Sequence, residues 1–123
     1  MHFSYTRLVE VRRWHEEPVE QLNPSIGRQM LHTHRMTVAR IHLAAGALVP
    51  RHHHENEQVA NVVTGRLRFV VGDDQAVVGA GDSVTIPPNV PHEVEALEDS
   101  LVIDVFSPVR EDWVRGDDAY LRG

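Results

Sequence analysis

Residues 51–58 read Arg51-His52-His53-His54-Glu55-Asn56-Glu57-Gln58, and a further histidine, His92, lies far downstream. Side chains two residues apart on an extended strand point to the same side, so His52 and His54 are predicted to face one point. Gln58 and His92 could complete a pocket there, and imidazole-rich sets of this kind bind divalent metal ions. The stretch therefore predicts a metal site inside a β structure.

The composition limits the chemistry that is available. The chain has 123 residues, which suits one domain, and no cysteine, which excludes disulfides, thiolate zinc sites and cysteine nucleophiles. All 12 basic residues are Arg, so Schiff-base lysines and phosphate-binding P-loops are also excluded. The net charge of -6 disfavours binding to nucleic acid or to an anionic membrane. Because the first residues lack the apolar segment of a signal peptide and no apolar run approaches a membrane span, we expect a soluble, cytoplasmic protein.

Short apolar or alternating stretches, separated at close intervals by Gly, Pro, Asn and Asp, predict an all-β fold. The predicted strands cover residues 28–32, 37–43, 58–64, 66–71, 75–78, 83–86, 92–96 and 101–106. Such intervals are typical of a jelly roll or closed barrel, which hides the edges of its sheets. Within this single domain we expect residues 1–35 to form an N-terminal arm or edge strands, 36–107 the barrel, and 108–123 a polar tail that starts with one short helical turn.

The spacing of the glycines and candidate ligands resembles the two sequence motifs of the cupin family. The first motif is matched by Gly46, His52, His54, Gln58 and Gly65, except that Gln58 stands where Glu is usual. The second is matched by Gly81, Pro87 and His92, with Asn89 in place of its second Gly and Ala96 in place of its terminal Asn. The resemblance covers residues 36–106. It implies a double-stranded β-helix, the jelly-roll barrel of RmlC-like cupins, with a metal ion in its interior.

A finer resemblance lies in residues 101–108 and in the Arg110-Glu111-Asp112 that follows, which is similar to the end of the KdgF-like group of small single-domain cupins. Proteins of that group convert 4,5-unsaturated uronates, the products of polysaccharide lyases, into linear keto forms, and they also use Gln at the fourth ligand position. The resemblance implies a catalytic role for Asp104, a substrate-binding role for Phe106, and a part in both for Arg110. It also implies a homodimer, for which the outward apolar residues Val59, Val63, Leu101 and Ile103 would suit the interface.

The residues around Asp104 allow a functional and a structural interpretation. Asp104 interrupts an apolar run that is typical of a strand buried on both faces, where a carboxylate is either paired or carries a raised pKa suited to acid-base catalysis. Phe106 shares its face and could form an apolar wall against a sugar ring or simply belong to the core. Arg110 could bind a substrate carboxylate through a bidentate fork, or pair with Glu111 or Asp112.

Three imidazoles and a neutral amide would leave the charge of a divalent ion uncompensated. Such an ion is a strong Lewis acid, which favours polarising a substrate oxygen over redox chemistry. Zn, Ni, Fe, Co and Mn all suit an imidazole-rich site, so the sequence does not select among them. The remaining histidines are expected not to bind the ion: His53, which has the opposite parity, and His2, His15, His32, His34 and His42.

The leading hypothesis is a metal-dependent isomerase or tautomerase that acts on a small oxygen-rich acid, most specifically an unsaturated uronate. One alternative keeps the site but activates dioxygen, as cupin dioxygenases do; another is a non-catalytic, metal-containing module that binds a small molecule. A lyase of the dimethylsulfoniopropionate type is disfavoured, because such cupins rely on tyrosines near the ion and both Tyr5 and Tyr120 lie outside the motifs.

Overall fold

The computed structural model describes residues 8–123, and these form an almost entirely β protein. After a 3-10 turn at Trp14–Glu16 the chain runs through ten strands: β1 (Glu20–Asn23), β2 (Ile26–His32), β3 (Thr37–Leu43), β4 (Leu48–His52), β5 (Glu57–Thr64), β6 (Arg66–Val71), β7 (Asp74–Gly79), β8 (Ser83–Ile86), β9 (His92–Ala96) and β10 (Ser100–Ser107). Two short helices, α1 (Glu111–Val114) and α2 (Ala119–Arg122), complete it. Among the described residues no helix combines the length and apolar character needed to cross a bilayer.

The strands form two antiparallel sheets. One has six strands in the order β1-β2-β3-β10-β5-β8, and the other has four in the order β4-β9-β6-β7. The predicted all-β jelly roll is therefore confirmed, as is the single domain. The apolar core lies between the sheets and includes Ile41, Leu67, Phe69, Ile86 and Val102.

Strand β10 lies at the centre of the larger sheet, between β3 and β5. Its residues alternate between buried and half-buried, so Val102, Asp104 and Phe106 face the interior. The expectation that this strand is buried on both faces is wrong, because the outward side chains of Leu101, Ile103 and Val105 are only half-buried. Asp104 pairs with Ala39 on one side and Ala60 on the other, and these small neighbours leave room for its carboxyl group.

Three elements differ from the sequence prediction, and each is short and peripheral. The sequence pattern does not predict β1 and β4, although it allows an edge strand in the N-terminal region. β4 contains Pro50, and proline is confined to edge strands such as this one because it cannot donate a hydrogen bond to a neighbour. The expected helical turn at 110–115 corresponds to α1, but the polar tail also contains α2, which packs against β4 and β1.

Candidate metal centre and active site

Three histidines converge at one end of the barrel. His52 ends β4, His92 begins β9 and is its register partner, and His54 lies two residues beyond β4. Their ring centroids are 4.3 Å (His52 to His92), 4.8 Å (His54 to His92) and 5.7 Å (His52 to His54) apart. One nitrogen from each ring lies within 4.8 Å of the others. The sequence pattern predicts that His52 and His54 face one point and that His92 could complete the pocket, and the structure places the three side chains close together although His54 lies beyond the end of β4.

Each of the three rings is oriented by a backbone carbonyl two residues away. His52 Nδ1 is 2.8 Å from the oxygen of Pro50, His92 Nδ1 is 2.8 Å from that of Val90, and His54 Nδ1 is 3.0 Å from that of Asn56. A carbonyl only accepts hydrogen bonds, so Nδ1 carries the hydrogen and the lone pair lies on Nε2. All three Nε2 atoms are therefore free to bind a cation, and the buried Nε2 of His92 has no hydrogen-bond partner among residues 8–123.

The turn before His92 is connected to the stretch around His54. Asn89 adopts a left-handed backbone with φ of 62°, and its N–H donates to the carbonyl of His54 over 2.8 Å. Asparagine tolerates this conformation better than most residues other than glycine. Asn89 therefore fulfils the backbone requirement of the motif glycine that it replaces, and it holds two of the histidine-bearing segments together.

Gln58 adds an oxygen to the histidine cluster. Its Oε1 lies 3.1 Å from His54 Nε2, and its Nε2 donates to Asp104 Oδ1 over 3.0 Å. Because His54 Nε2 and the amide oxygen are both acceptors in these orientations, they repel one another unless a cation lies between them. The donor set therefore fits a metal ion, with His52, His54, His92 and Gln58 as the residues that could hold it.

The electrostatics of the cluster favour the form that binds metals. Burial lowers the pKa of His52 to about 3 and that of His54 to about 4, and it also lowers the pKa of His92. The charged Arg110 contributes to each decrease. All three imidazoles are consequently neutral at pH 7, with their lone pairs available to a cation.

Asp104 lies beside this cluster with its carboxyl group almost fully buried. Burial raises its pKa to about 6, although the hydrogen bond from Gln58 and the charge of Arg110 act in the opposite direction. Oδ1 accepts from Gln58, whereas Oδ2 has no partner among the described residues. An acid whose pKa is close to neutrality can both take up and return a proton, which is what general acid-base catalysis requires.

Arg110 is buried rather than at the surface, with 1% of its area exposed. Its Nε and Nη2 donate to the two carboxylate oxygens of Asp112 over 3.0 and 2.8 Å. The guanidinium lies 4.6 Å from the ring centroid of Phe106 and 4.1 Å from that of Trp113. Burial disfavours its charge, but Asp112 and Tyr120 outweigh that effect and the pKa of Arg110 is raised. Arg110 thus remains a cation, held by Asp112.

Most of the site residues, though not His54, line a cavity with about 490 Å³ of empty space, a volume that includes part of its opening to solvent. The side chains that line it include His52, Gln58, His92, Asp104, Phe106, Arg110, Trp113, Tyr120 and Leu121. Phe106 is packed between His54 and Trp113, with centroid distances of 5.6 and 5.2 Å. Six further apolar residues complete the lining, so the walls are mainly apolar with a few polar groups, which is typical of small-molecule sites: Ile41, Leu43, Val49, Phe69, Val94 and Val102.

The sequence interpretation missed Tyr120 and Trp113. Helix α2 brings Tyr120 onto His52, where the two rings stack with centroids 4.4 Å apart. Because Tyr120 lies outside the motifs, it is expected to lie far from the ion, which disfavours a dimethylsulfoniopropionate lyase; this contact contradicts that expectation. No local sequence pattern predicts this contact, because it joins residues on β4 and α2 that are far apart in the sequence.

The other described histidines lie outside the cluster, as expected. His53 is exposed. His32 hydrogen-bonds with Thr37, His42 with Gln29, and His15 lies 3.7 Å from Glu16. His34 is exposed on the turn between β2 and β3, and His2 lies outside the described residues.

Comparison with known proteins identifies relatives along most of the chain. Residues 39–106 match the family model described as the cupin domain. The pectin degradation protein KdgF of Dickeya dadantii is 31% identical over 102 residues, which cover 80% of this chain and 93% of that protein. The structure of KdgF from Halomonas sp. superposes with a TM-score of 0.77 at 33% identity, covering 80% of this chain and 93% of that one. An RmlC-like cupin from Shewanella frigidimarina has the same TM-score at 32% identity, covering 92% and 96% of the two chains.

Proposed function

Because this chain belongs to the cupin family, we propose that it is a metal-dependent enzyme that opens the ring of 4,5-unsaturated uronates and converts them to linear keto acids. One observation carries this proposal: the buried carboxyl group of Asp104, whose pKa is raised to about 6 by burial, lines the same cavity as His52, His92 and the buried Arg110. The likeness to pectin degradation proteins supports a sugar acid as the substrate.

In this proposal His52, His54, Gln58 and His92 hold one divalent ion, such as Zn, Ni, Fe or Mn. The convergence of three Nε2 lone pairs with an amide oxygen supports this set. When bound, the ion supplies a Lewis acid that polarises oxygen atoms of the substrate. The hydrogen bonds from each Nδ1 to the backbone keep the imidazoles oriented for that purpose.

Asp104 moves the proton. Its ionised carboxylate takes the hydrogen of the anomeric hydroxyl; a carbonyl forms at C1, and the bond between C1 and the ring oxygen breaks, leaving an enolate at C5 and C4. Asp104 then returns a proton to C4, which leaves a ketone at C5 and regenerates the base. The reaction is an isomerisation, so no oxidant or reductant is consumed. The unpartnered Oδ2 and the near-neutral pKa of Asp104 suit both halves of this transfer.

Arg110 and Phe106 bind the substrate in this scheme. Nη1 of Arg110 has no hydrogen-bond partner in the described structure and can donate to the substrate carboxylate, while Asp112 occupies the Nε side of the fork. Phe106 supplies apolar surface at the wall of the cavity. Arg110 therefore combines the two roles considered for it, since Asp112 orients the same guanidinium that faces the ligand.

The experiment is to follow the ultraviolet absorbance of a conjugated 4,5-unsaturated uronate with and without metal-loaded protein. We expect the absorbance to decay faster with the protein, and more slowly again after the metal is chelated. An unchanged decay rate with loaded protein would reject this substrate. Oxygen consumption by iron-loaded protein, measured in parallel, would instead support a dioxygenase, and binding of the uronate without conversion would support a non-catalytic module.

We also propose a homodimer formed through the outer face of the six-stranded sheet. The outward side chains of Val59, Val63, Leu101 and Ile103 lie on the adjacent strands β5 and β10, and Val63 is 42% exposed. An apolar strip on a sheet face favours association with a second surface. Sedimentation equilibrium tests the proposal, and a monomer at all concentrations would reject it.

A further inference from the structure

We propose that Tyr120 binds the substrate, by donating its phenolic hydrogen to the carboxylate of the sugar acid next to the free Nη1 of Arg110. This inference rests on the proposed function, since it names a second group that recognises the same acid. Tyr120 lies outside both cupin motifs, near the end of the chain. The observations that carry it are the hydrogen bonds around its oxygen and its place in the cavity.

The oxygen of Tyr120 accepts two hydrogen bonds from groups that can only donate. Arg110 Nη2 lies 2.9 Å and Trp113 Nε1 lies 3.3 Å from it. Guanidinium and indole nitrogens have no acceptor capacity, so in neither contact can the phenolic hydrogen be the one that is shared. That hydrogen finds no acceptor in the described part of the chain. It is consequently available to a ligand.

The same contacts occupy two of the three guanidinium nitrogens of Arg110. Asp112 uses Nε and Nη2, and Tyr120 takes the other hydrogen of Nη2. Only Nη1 is left for a ligand, so Arg110 alone cannot form a bidentate pair through two of its nitrogens. A carboxylate has two oxygens, and a donor from Tyr120 beside Nη1 would serve the second. The predicted arginine fork thus becomes a mixed clamp of one guanidinium nitrogen and one phenol.

Tyr120 also lies in the cavity where the substrate is proposed to bind. It lines the same cavity as Gln58, Asp104 and Arg110, and its ring stacks on His52. The acid bound between Tyr120 and Arg110 would therefore extend toward the histidine cluster and the carboxyl group of Asp104.

The position of Tyr120 is fixed by a buried ion pair at the start of α2. Asp118, which is 2% exposed, accepts hydrogen bonds from Arg28 over 2.8 Å and from Arg122 over 2.8 and 3.2 Å. Arg28 belongs to β2, so this pair attaches the C-terminal helix to the wall of the barrel. A group held in this way loses little conformational freedom when a ligand binds.

The test uses Tyr120→Phe, which keeps the ring and its stacking on His52 but removes the hydroxyl group. Calorimetric titration of the metal-loaded protein compares a saturated hexuronate, which lacks the C4=C5 bond and is not converted, with the neutral hexose of the same configuration. We expect Tyr120→Phe to weaken hexuronate binding about tenfold or more and to leave hexose binding unchanged. In turnover of the unsaturated substrate, KM should rise while kcat and metal content stay near those of the parent.

Ser83→Ala is the matched control, because it removes a hydroxyl group that donates to Asn61 at the surface, away from the cavity. It should leave both affinities unchanged. Parent-like hexuronate affinity in Tyr120→Phe, with turnover of the uronate intact in the parent, would overturn the role of Tyr120 alone. If the parent neither binds the hexuronate nor converts the unsaturated acid, the proposed function fails, and the inference about Tyr120 fails with it. Equal weakening for the acid and the neutral sugar would indicate a structural effect and would also overturn it.

Discussion

Replacing Asp104 by Asn should make the metal-free protein more stable and the enzyme slower. Burial raises the pKa of this carboxyl group from 3.8 to about 6, a difference of about two units, and each unit corresponds to about 1.4 kcal/mol. The ionised carboxylate therefore opposes folding by up to about 3 kcal/mol. An Asn at this position keeps an oxygen that can accept the hydrogen bond of Gln58 but carries no charge.

The direction of the pKa shift also determines how the stability difference between the two proteins changes with pH. Between pH 3.8 and about 6 the carboxyl group is ionised in the unfolded chain and protonated in the folded one, so the folded state holds more protons and its stability falls as the pH rises. Above about pH 6 the whole penalty is present, and below 3.8 it is absent. Asp104→Asn should thus exceed the parent in stability most at pH 7 to 8, and the gap should narrow as the pH decreases toward 4.

Urea unfolding of both chelated proteins over this pH range measures the difference. Chelation matters because a bound cation would stabilise the carboxylate and reduce the penalty. The buried histidines also titrate in this range, but they do so in both proteins, and the comparison between them isolates Asp104. Turnover by the loaded variant should fall about 10²- to 10⁴-fold with metal content intact. Equal stability at pH 7, or a gap that does not depend on pH, would refute the assigned burial penalty, and undiminished turnover would remove Asp104 from the mechanism.

Further predictions concern the metal ligands, the anchor of α2 and one turn. His92→Ala should lower metal affinity by at least about a hundredfold, because the loss of a residue that only hydrogen-bonds to a ligand already lowers affinity about 10- to 100-fold. Full metal content after dialysis, measured by mass spectrometry, would contradict the ligand set. Asp118→Ala should destabilise the protein by about 2 kcal/mol, because the buried Arg28 loses one of its two carboxylate partners and keeps only the more exposed Glu20. A loss in urea unfolding below about 1 kcal/mol would show that the pair contributes little. Gly65→Ala should lower the melting temperature clearly more than Gly46→Ala. Both glycines have positive φ, but only at Gly65 would the new Cβ collide with a neighbour, the hydroxyl group of Ser100.

The fold and the convergence of His52, His54 and His92 followed from local patterns. Strand alternation assigns inward and outward positions without knowledge of the neighbouring strands, and the two cupin motifs specify which turns bring the inward positions together. The elements that escaped prediction lack such a pattern. β4 is interrupted by a proline, β1 is polar and short, and α2 has only four residues.

What the sequence determined by itself was the all-β barrel, the candidate ligands and the presence of a carboxyl group in an apolar strand. Only the tertiary structure decided how Arg110 divides its hydrogen bonds between Asp112 and Tyr120, and that Tyr120 meets His52 in the cavity. The physical reason is the sequence separation of the residues that interact. Strand parity is set by the backbone of neighbouring residues, whereas the position of α2 depends on an ion pair between residues 28 and 118 and on packing between distant segments. Such contacts join segments that are far apart in the sequence, and no local stretch of sequence encodes them.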